Sequence, residues 1–343
     1  MVFSSYEGIG IAAIAASVPE DEYKIDLLMK NSDERMIKQI KKKTGIEKIR
    51  KAKLNQTASD LGFSAAKALE SAGKYVTDDI GILLYVTQGP DYRTPSTACV
   101  LQDRLNLNKS CIALGALAKS IRIRSEELRV GKECTLGRGR TGEREEDSAS
   151  NTRFLFGDAA SAILIERQKE SIIHSALMTD GSGFRALVCP YGAWKHPVGP
   201  ELCPGDDLAV FSFAINEVPE LINNLMKRIN TNVNDYDALI LHQANMMIMK
   251  QIAKKINMPM EKVPISLNQF GNTSGASVPL TIVNKYGEEN EGNIRLLTSG
   301  FGVGLSWGVL SFDINKKDIL PLIISKDVYD DNYPDYYSTE EIV

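Results

Sequence analysis

The sequence has few of the residues on which metal-binding, disulfide-rich and membrane proteins depend. It contains three histidines, two tryptophans and five scattered cysteines, none of them in a CxxC pair. This pattern predicts neither a zinc site nor a disulfide framework, and it favours a reducing compartment. The longest apolar stretch, residues 8–18, is too short to cross a bilayer and has no basic residue before it. We therefore expect a cytoplasmic protein that does not enter a membrane.

The chain also lacks a strong excess of either charge. Lys and Arg number 40 against 44 Asp and Glu, so the formal net charge is −4. A slightly acidic protein has no general attraction to nucleic acids, and we expect none as a partner. Hydrophobic residues make up 43% of the chain and charged residues 24%, which excludes a disordered or fibrous protein. The 343 residues suffice for one large α/β unit or two average domains.

Strand-like and helix-like segments alternate along the chain, which is typical of an α/β fold. In the first half we predict strands at 9–19 and 80–88, and helices at 57–74 (capped by Ser59) and 95–107. In the second half we predict helices at 210–230 and through MMIMKQIAKKI, and strands at 236–243, 294–302 and 304–314. The shared βα rhythm predicts two similar halves, 1–170 and 171–320, and a peripheral tail, 321–343.

Residues 119–149 interrupt this alternation. Eight basic and four acidic residues lie between positions 119 and 144, and burying so many unpaired charges would be strongly unfavourable. We interpret the segment as a solvated insert, with a basic loop for phosphate-bearing partners as the alternative. A third interpretation is a corrupted read, because RSEELRVGKEC (124–134) resembles a translated sequencing-library adapter. Re-sequencing the locus would test that interpretation.

Three features of the second half supply the residue types that an oxyanion site needs. His242 ends a predicted buried strand, where ligands of open α/β sheets bind. Asn272 lies on a turn 30 residues later, and its amide can donate a hydrogen bond without carrying charge. Glycines 300, 302 and 304 would let backbone N–H groups approach a ligand closely. Taken separately, the three features could be a histidine of the core, an Asx turn and a glycine turn. Taken together, they predict a group of hydrogen-bond donors that binds one substrate oxygen.

The motifs HQAN, FGNTSGAS and SGFGVGLSWG, in this order, resemble those of β-ketoacyl-ACP synthase III, a thiolase-fold condensing enzyme. KKTGIEKIR and FLFGDAASAILIE extend the resemblance, which covers about residues 5–118 and 150–315. It implies a five-layer αβαβα fold of two similar halves and, usually, a homodimer. It also implies an acyltransferase that starts fatty-acid chains by decarboxylative Claisen condensation of acyl-CoA with malonyl-ACP. Such an enzyme uses CoA and ACP thioesters as substrates and needs no cofactor and no metal.

The resemblance assigns roles to three positions of this chain. His242 and Asn272 match the family's histidine and asparagine, whose Nε2–H and amide N–H would donate to the enolate oxygen of the malonyl thioester. Val303 matches the position whose backbone N–H helps to bind an oxyanion, here that of the tetrahedral intermediate. Removing one donor from a site of this kind costs about 3–4 kcal/mol of transition-state stabilisation.

The nucleophilic cysteine of the family has no clear counterpart here. It is expected within 114–122, where the chain has no cysteine and Ser120 stands near the expected place. Cys111 remains a candidate because its interval to FLFGD approximates the family's interval, whereas Cys134 lies in the charged segment. The alternatives are therefore an impaired synthase, a scaffold that only decarboxylates, a non-catalytic partner of an active paralogue, and a condensing enzyme with another 3-oxoacyl product.

Basic residues are the expected contacts of the acidic ACP. Met247 stands where the family often has an arginine after HQAN, and Lys250, Lys254 and Lys255 follow on the same predicted helix. Lys43 matches a usual arginine near the CoA end of the site. The alternative for these lysines is a solvated helix surface.

Overall fold

The computed structural model of the chain describes residues 1–30, 33–87, 89–116, 155–191, 195–199 and 205–331. In these residues the strands are β1 (Val2–Pro19), β2 (Glu22–Lys24), β3 (Lys48–Arg50), β4 (Ile82–Val86), β5 (Ile112–Ala116), β6 (Ala160–Thr179), β7 (Ala238–Leu241), β8 (Asn293–Gly302), β9 (Ser306–Asn315) and β10 (Ile323–Ser325). The α-helices are α1 (Ile25–Leu28), α2 (Glu34–Thr44), α3 (Ala58–Ser71), α4 (Thr97–Arg104), α5 (Asp207–Arg228), α6 (Met246–Lys255), α7 (Leu267–Phe270) and α8 (Ser277–Tyr286). The charged segment 119–149, with Ser120 and Cys134, lies outside the described residues.

A six-stranded mixed sheet has the strand order β10-β1-β6-β9-β8-β7. The long strands β1 and β6 run antiparallel, from Val2 opposite Leu177 to Ser17 opposite Ala160. Strands β7 and β8 are parallel, and β8 and β9 form an antiparallel hairpin. The expected boundary at residue 170 falls inside β6, and the division of the chain into two halves remains a prediction.

Helices cover the strands on more than one side, as the alternating sequence pattern indicates. Helix α3 packs on β1 and β6, α5 packs on β8 and β9, and α8 packs on β1 and β7. Strands β4 and β5 form a separate parallel pair against which α4 packs. Buried apolar side chains between these helices and strands form three hydrophobic clusters. Because helices pack on strands throughout, the described part of the chain is a mixed α/β structure.

The N-cap of α3 differs from the sequence prediction. The cap residue is Thr57, whose backbone N–H donates to the Asp60 carboxylate at 2.6 Å. Ser59, the predicted cap, is buried in the first turn, and its hydroxyl accepts a hydrogen bond from Arg104 of α4 at 3.0 Å. The prediction of Ser59 was therefore wrong by two residues, because both side chains are cap-forming types and tertiary contacts decided between them.

The beginning of the tail joins the sheet. Strand β10 pairs in parallel with the end of β1, with Ser17 opposite Ile323. The side chain of Gln56 donates to the carbonyl oxygen of Asp327 at 2.9 Å, which holds the chain beyond β10 against the start of α3. The described part of the tail is thus a structural element of the sheet edge.

The three cysteines in the described ranges occupy three different environments. Cys99 is a free exposed thiol and Cys111 is a free buried thiol. Cys189 is disulfide-bonded, which departs from the expectation of a chain without disulfides. The spacing of cysteines along a chain does not show which sulfur atoms meet in space. No helix in the described ranges has the length and apolar character needed to cross a bilayer.

Candidate active site

His242 lies at the carboxyl end of β7, where the sequence predicts it. Its backbone N–H donates to the carbonyl oxygen of Ser299 at 2.8 Å, which continues the pairing of β7 with β8. The imidazole is 6% exposed, and its ring meets the Phe301 ring edge-on, with centroids 5.3 Å apart. Phe301 is two residues before Val303, so His242 and the FGVG turn lie at the same edge of the sheet.

The turn that carries Val303 connects β8 to β9. Gly302 and Gly304 have φ values of 155° and 136°, in the region that favours glycine. Leu305 and Asp180 exchange two backbone hydrogen bonds of 2.9 and 2.8 Å, which hold the far side of the turn to the end of β6. Val303 itself is half-buried. The turn is therefore anchored at both ends beside the His242 ring.

Asn272 is held by a backbone contact between two distant motifs. Its N–H donates to the carbonyl oxygen of Leu155 at 2.7 Å, and the Gly157 N–H donates to the Asn272 carbonyl oxygen at 3.2 Å. A Cβ atom at Gly157 would lie 2.1 Å from the carbonyl oxygen of Phe270, a distance that no real Cβ tolerates. Only glycine at position 157 lets FLFGD approach FGNTSG closely enough to fix Asn272.

A chain of hydrogen bonds connects Asn272 to His242. The Asn272 Oδ1 atom accepts from the Ser274 N–H at 2.8 Å. The Ser277 hydroxyl donates to the Ser274 carbonyl oxygen at 2.5 Å and lies 2.7 Å from Nδ1 of His242. The structure therefore brings the two predicted side chains into one hydrogen-bonded cluster. Since Oδ1 is occupied by the Ser274 N–H, the Nδ2 group is the part of the carboxamide that remains to donate to a ligand.

Gln243 connects the end of β7 to the loop that carries Asn272. Its side chain is fully buried, with Nε2 donating to the Leu241 carbonyl oxygen at 2.8 Å. Its Oε1 accepts from the N–H groups of Ser266 and Leu267 at 3.1 and 3.2 Å. Helix α7 begins at Leu267 and leads into Asn272, so the amide of Gln243 helps to set the position of that loop.

Gln243 and Ser277 are not among the site residues predicted from the sequence. Both lie inside the motifs HQAN and GNTSGAS, which are the signal in the sequence that points to them. Both side chains are fully buried. Polar side chains at such burial are hydrogen-bonded as a rule, but burial depends on tertiary packing and cannot be seen in the sequence.

The structure places Cys111 away from this cluster. It immediately precedes β5, at the amino end of the strand, whereas His242 follows the carboxyl end of β7. Cys111 packs in the hydrophobic cluster that contains Leu101 of α4, and Leu241 belongs to another cluster. Burial raises the pKa of the Cys111 thiol, which disfavours the reactive thiolate. The described residues 114–116 include no cysteine, and 117–122 lie outside the described part.

The predicted partner-binding lysines lie on two neighbouring helices. A Cβ atom at Gly45, the C-cap of α2, would lie 2.9 Å from Cβ of Met246, the first residue of α6. Lys43 is exposed near this contact, and Met247 is 47% exposed beside it. Further along α6, two exposed lysines follow at 250 and 254. Lys255 instead donates to the Asn216 side chain at 2.6 Å.

The other histidines lie outside the cluster. Nδ1 of His174 on β6 is 2.8 Å from the Ser5 hydroxyl, and burial lowers the pKa of its ring. His196 is exposed and meets the Tyr191 ring edge-on. Among the residues that the structure describes, no three His, Cys, Asp or Glu side chains are grouped so that they could hold a metal ion.

Comparisons with known proteins identify relatives of this chain. Residues 226–314 match the family model described as 3-oxoacyl-[acyl-carrier-protein (ACP)] synthase III C terminal. The β-ketoacyl-[acyl-carrier-protein] synthase III of Clostridioides difficile is 32% identical, over 87% of this chain and 96% of its own length. That of Clostridium acetobutylicum is 31% identical, over 78% of this chain and 87% of its own length.

A solved structure shows the same fold. The 3-oxoacyl-(acyl-carrier protein) synthase of Burkholderia xenovorans superposes with a TM-score of 0.86 and 28% identity, covering 94% of this chain and 99% of that one. The expected α/β fold of the thiolase type is thereby confirmed. With relatives above 30% identity that match over nearly their whole length, the chain belongs to the β-ketoacyl-[acyl-carrier-protein] synthase III family.

Proposed function

We propose that the chain is an acyltransferase that starts fatty-acid synthesis by decarboxylative Claisen condensation of acyl-CoA with malonyl-ACP. Its relatives are named as β-ketoacyl-[acyl-carrier-protein] synthases III, which supports this reaction class. One observation carries the proposal for this chain. The hydrogen bonds from His242 through Ser277 and Ser274 to Asn272 hold a ring and a carboxamide together at the sheet edge.

In the proposed reaction, the malonyl thioester loses CO2, and the electron pair of the broken bond moves onto the thioester oxygen. His242 and the Asn272 Nδ2–H donate to that oxygen, where a preorganised donor stabilises the developing charge. The enolate carbon then attacks the carbonyl carbon of an enzyme-bound acyl thioester. The Val303 N–H holds the tetrahedral oxyanion, which collapses and expels the enzyme thiolate. Loss of CO2 supplies the carbon nucleophile, so the proposal includes no metal or redox cofactor.

A second candidate is a scaffold that decarboxylates malonyl thioesters but does not condense them. The absence of a cysteine within 114–122 favours it, because that is where the family carries its acyl-accepting thiol. The burial of Cys111 also favours it, because a buried thiol with a raised pKa is a poor acyl acceptor. Decarboxylation itself requires only donors to the enolate oxygen.

Malonyl-ACP decarboxylation tests the oxyanion roles without requiring a nucleophile. We expect His242→Ala and Asn272→Ala each to lower the rate by about 100- to 1,000-fold, because each removes one donor from the enolate oxygen. The released acetyl-ACP is quantified by mass spectrometry. Matched controls are His174→Ala, whose ring bonds Ser5, and Asn293→Ala, whose side chain bonds Asn315. Rates of both site variants equal to those of the controls would remove the basis of the proposal.

The acylation step separates the two candidates. The wild-type chain is incubated with acetyl-CoA and its intact mass is measured, in parallel with the decarboxylation assay. A covalent acetyl adduct together with a 3-oxoacyl product supports the complete condensation. Decarboxylation without an adduct supports the decarboxylating scaffold, and loss of both activities supports a non-catalytic protein.

We further propose that the chain works as a homodimer in the cytoplasm, with acyl-CoA and malonyl-ACP as partners. The family resemblance supports the dimer, and the CoA and ACP substrates support the compartment. Light scattering is expected to give twice the chain mass of 37.8 kDa, and a mass of one chain would contradict the dimer. Fractionation of cells that express the chain tests the compartment.

A further inference from the structure

The three polar contacts of the Ser277 hydroxyl use its whole hydrogen-bonding capacity. It is the first residue of α8 and is fully buried. Its Oγ lies 2.5 Å from the Ser274 carbonyl oxygen, 2.7 Å from Nδ1 of His242 and 3.4 Å from the backbone nitrogen of Gln243. A hydroxyl has one proton to donate and two lone pairs that accept.

The roles that these three neighbours can take indicate which nitrogen of the His242 ring carries its proton. The Ser274 carbonyl oxygen can only accept, so it takes the single hydroxyl proton of Ser277. The N–H of Gln243 can only donate, so it uses a lone pair of the same oxygen. The contact with His242 must then run from a protonated Nδ1 to Oγ. The neutral tautomer that fits this arrangement has its proton on Nδ1 and a lone pair on Nε2, whereas the family resemblance implies an Nε2–H.

We propose that Ser277 is a positioning residue that keeps a proton on Nδ1 of His242 and fixes the plane of the ring. This inference rests on the proposed function. A ring that keeps its Nδ1 proton and also donates from Nε2 to an enolate oxygen is an imidazolium. Ser277 stabilises that form, because its oxygen accepts the Nδ1–H. No covalent bond to Ser277 forms or breaks.

The same arrangement orients Asn272. Ser274 lies between the two side chains and has a positive φ of 52°, a conformation that non-glycine residues adopt rarely. In this conformation its carbonyl oxygen accepts from Ser277 while its N–H donates to Oδ1 of Asn272. Strained backbone of this kind persists where the surrounding structure holds it in place. The hydroxyl of Ser277 thus supports both proposed donors to the substrate oxygen.

Nitrogen-15 NMR of the imidazole rings tests the tautomer directly. The chain has three histidines, so His174→Gln and His196→Gln variants suffice to assign the signals of His242. At a pH where the ring is neutral, we expect a protonated Nδ1 and an unprotonated Nε2 in the wild type. Ser277→Ala should lose this preference. A wild-type ring with its proton on Nε2, or an unchanged tautomer in Ser277→Ala, would overturn the proposal.

Thr281→Val is the matched control. Thr281 is one turn further along α8, is 1% exposed, and donates to the Ser277 carbonyl oxygen at 2.7 Å. Its hydroxyl also contacts Ser266, 2.7 Å away, so its loss disturbs the same buried layer. We expect this variant to lose thermal stability while keeping the Nδ1–H tautomer. A tautomer change in Thr281→Val would show that general loosening, rather than the Ser277 hydroxyl, controls the ring.

Malonyl-ACP decarboxylation supplies the functional measurement. We expect Ser277→Ala to slow it about 10- to 100-fold, as loss of a side chain that orients a functional group typically does. Ser277→Thr, which retains the hydroxyl, should restore both the rate and the tautomer. A wild-type rate in Ser277→Ala would refute the positioning role. If the wild type does not decarboxylate at all, the proposed function fails, whereas the wild-type NMR spectrum still decides the tautomer.

Discussion

At the scale of single residues, burial separates side chains of the same type into different chemical roles. Cys99 and Cys111 are both free thiols, yet one is exposed and the other is buried. Burial raises the pKa of the Cys111 thiol because it disfavours the charged thiolate, although a backbone hydrogen bond from Leu83 opposes this effect. A cysteine in such surroundings is a packing residue before it is a nucleophile.

The two thiols should therefore differ in reactivity towards iodoacetamide. We expect Cys99 to be alkylated at least about tenfold faster than Cys111 at neutral pH, because the thiolate is the reacting species. The Cys111 rate should continue to rise with pH beyond the ordinary thiol range, since a raised pKa delays formation of the thiolate. Peptide mass spectrometry gives both rates from one sample. Rapid acetylation of Cys111 by acetyl-CoA would instead support Cys111 as the nucleophile.

At the scale of elements, one buried carboxylate joins two helices and the tail. Asp60 of α3 lies 3.0 Å from Arg104 of α4, with side chains that are 1% and 5% exposed. It also accepts from the backbone N–H of Tyr329 at 3.1 Å. The Arg104 guanidinium stacks on the rings of Phe63 and Tyr329, 4.7 and 4.2 Å from their centroids. Neutralising Asp60 would leave a buried guanidinium without its counter-charge.

We expect Asp60→Asn to lower the free energy of unfolding by about 3 kcal/mol, because removing one partner of a buried ion pair leaves the other charge uncompensated. The matched control is Asp313→Asn, which breaks an ion pair of 2.8 Å with Arg295 whose side chains are 56% and 46% exposed. The Asp313→Asn change should lower the free energy of unfolding by less than about 1 kcal/mol, since water screens an exposed pair. Urea denaturation measures both values. Equal losses of unfolding free energy in the two variants would show that the buried Asp60–Arg104 pair contributes no more to stability than the exposed pair.

At the scale of the whole molecule, the overall charge and the local charge have opposite signs. The chain carries a net charge of −4, which would repel an acidic carrier protein. However, exposed lysines gather where the end of α2 meets α6, directly after the strand end that carries His242. A local basic surface can steer an acidic partner even when the net charge is unfavourable.

We expect the double change Lys250→Glu and Lys254→Glu to raise the dissociation constant for ACP about tenfold, or roughly 0.7 kcal/mol for each reversed charge. The effect should diminish as the salt concentration increases, because exposed charges are screened. Titration calorimetry measures the constant without requiring turnover. Lys169→Glu on β6 is the control, since this exposed lysine lies on another element. If the control raised the dissociation constant equally, the α6 lysines would be part of a solvated helix surface with no specific role in binding ACP.

The sequence by itself determined the order and type of most elements, because these depend on residues close together in the chain. The predicted strand 9–19 is part of β1 (Val2–Pro19), and the predicted helix 210–230 is α5 (Asp207–Arg228). Periodic apolar residues specify such elements locally. The motif order also allowed the family to be identified and placed His242 at a strand end.

Only the tertiary structure decided which distant residues meet. It set Gly157 against Phe270 so that Asn272 is fixed, and it placed Ser277 against Nδ1 of His242. It also paired β10 with β1 and buried Cys111. The physical reason is that burial, proton placement and close backbone approach depend on distances through space between segments far apart in the chain. No local pattern of residues contains those distances.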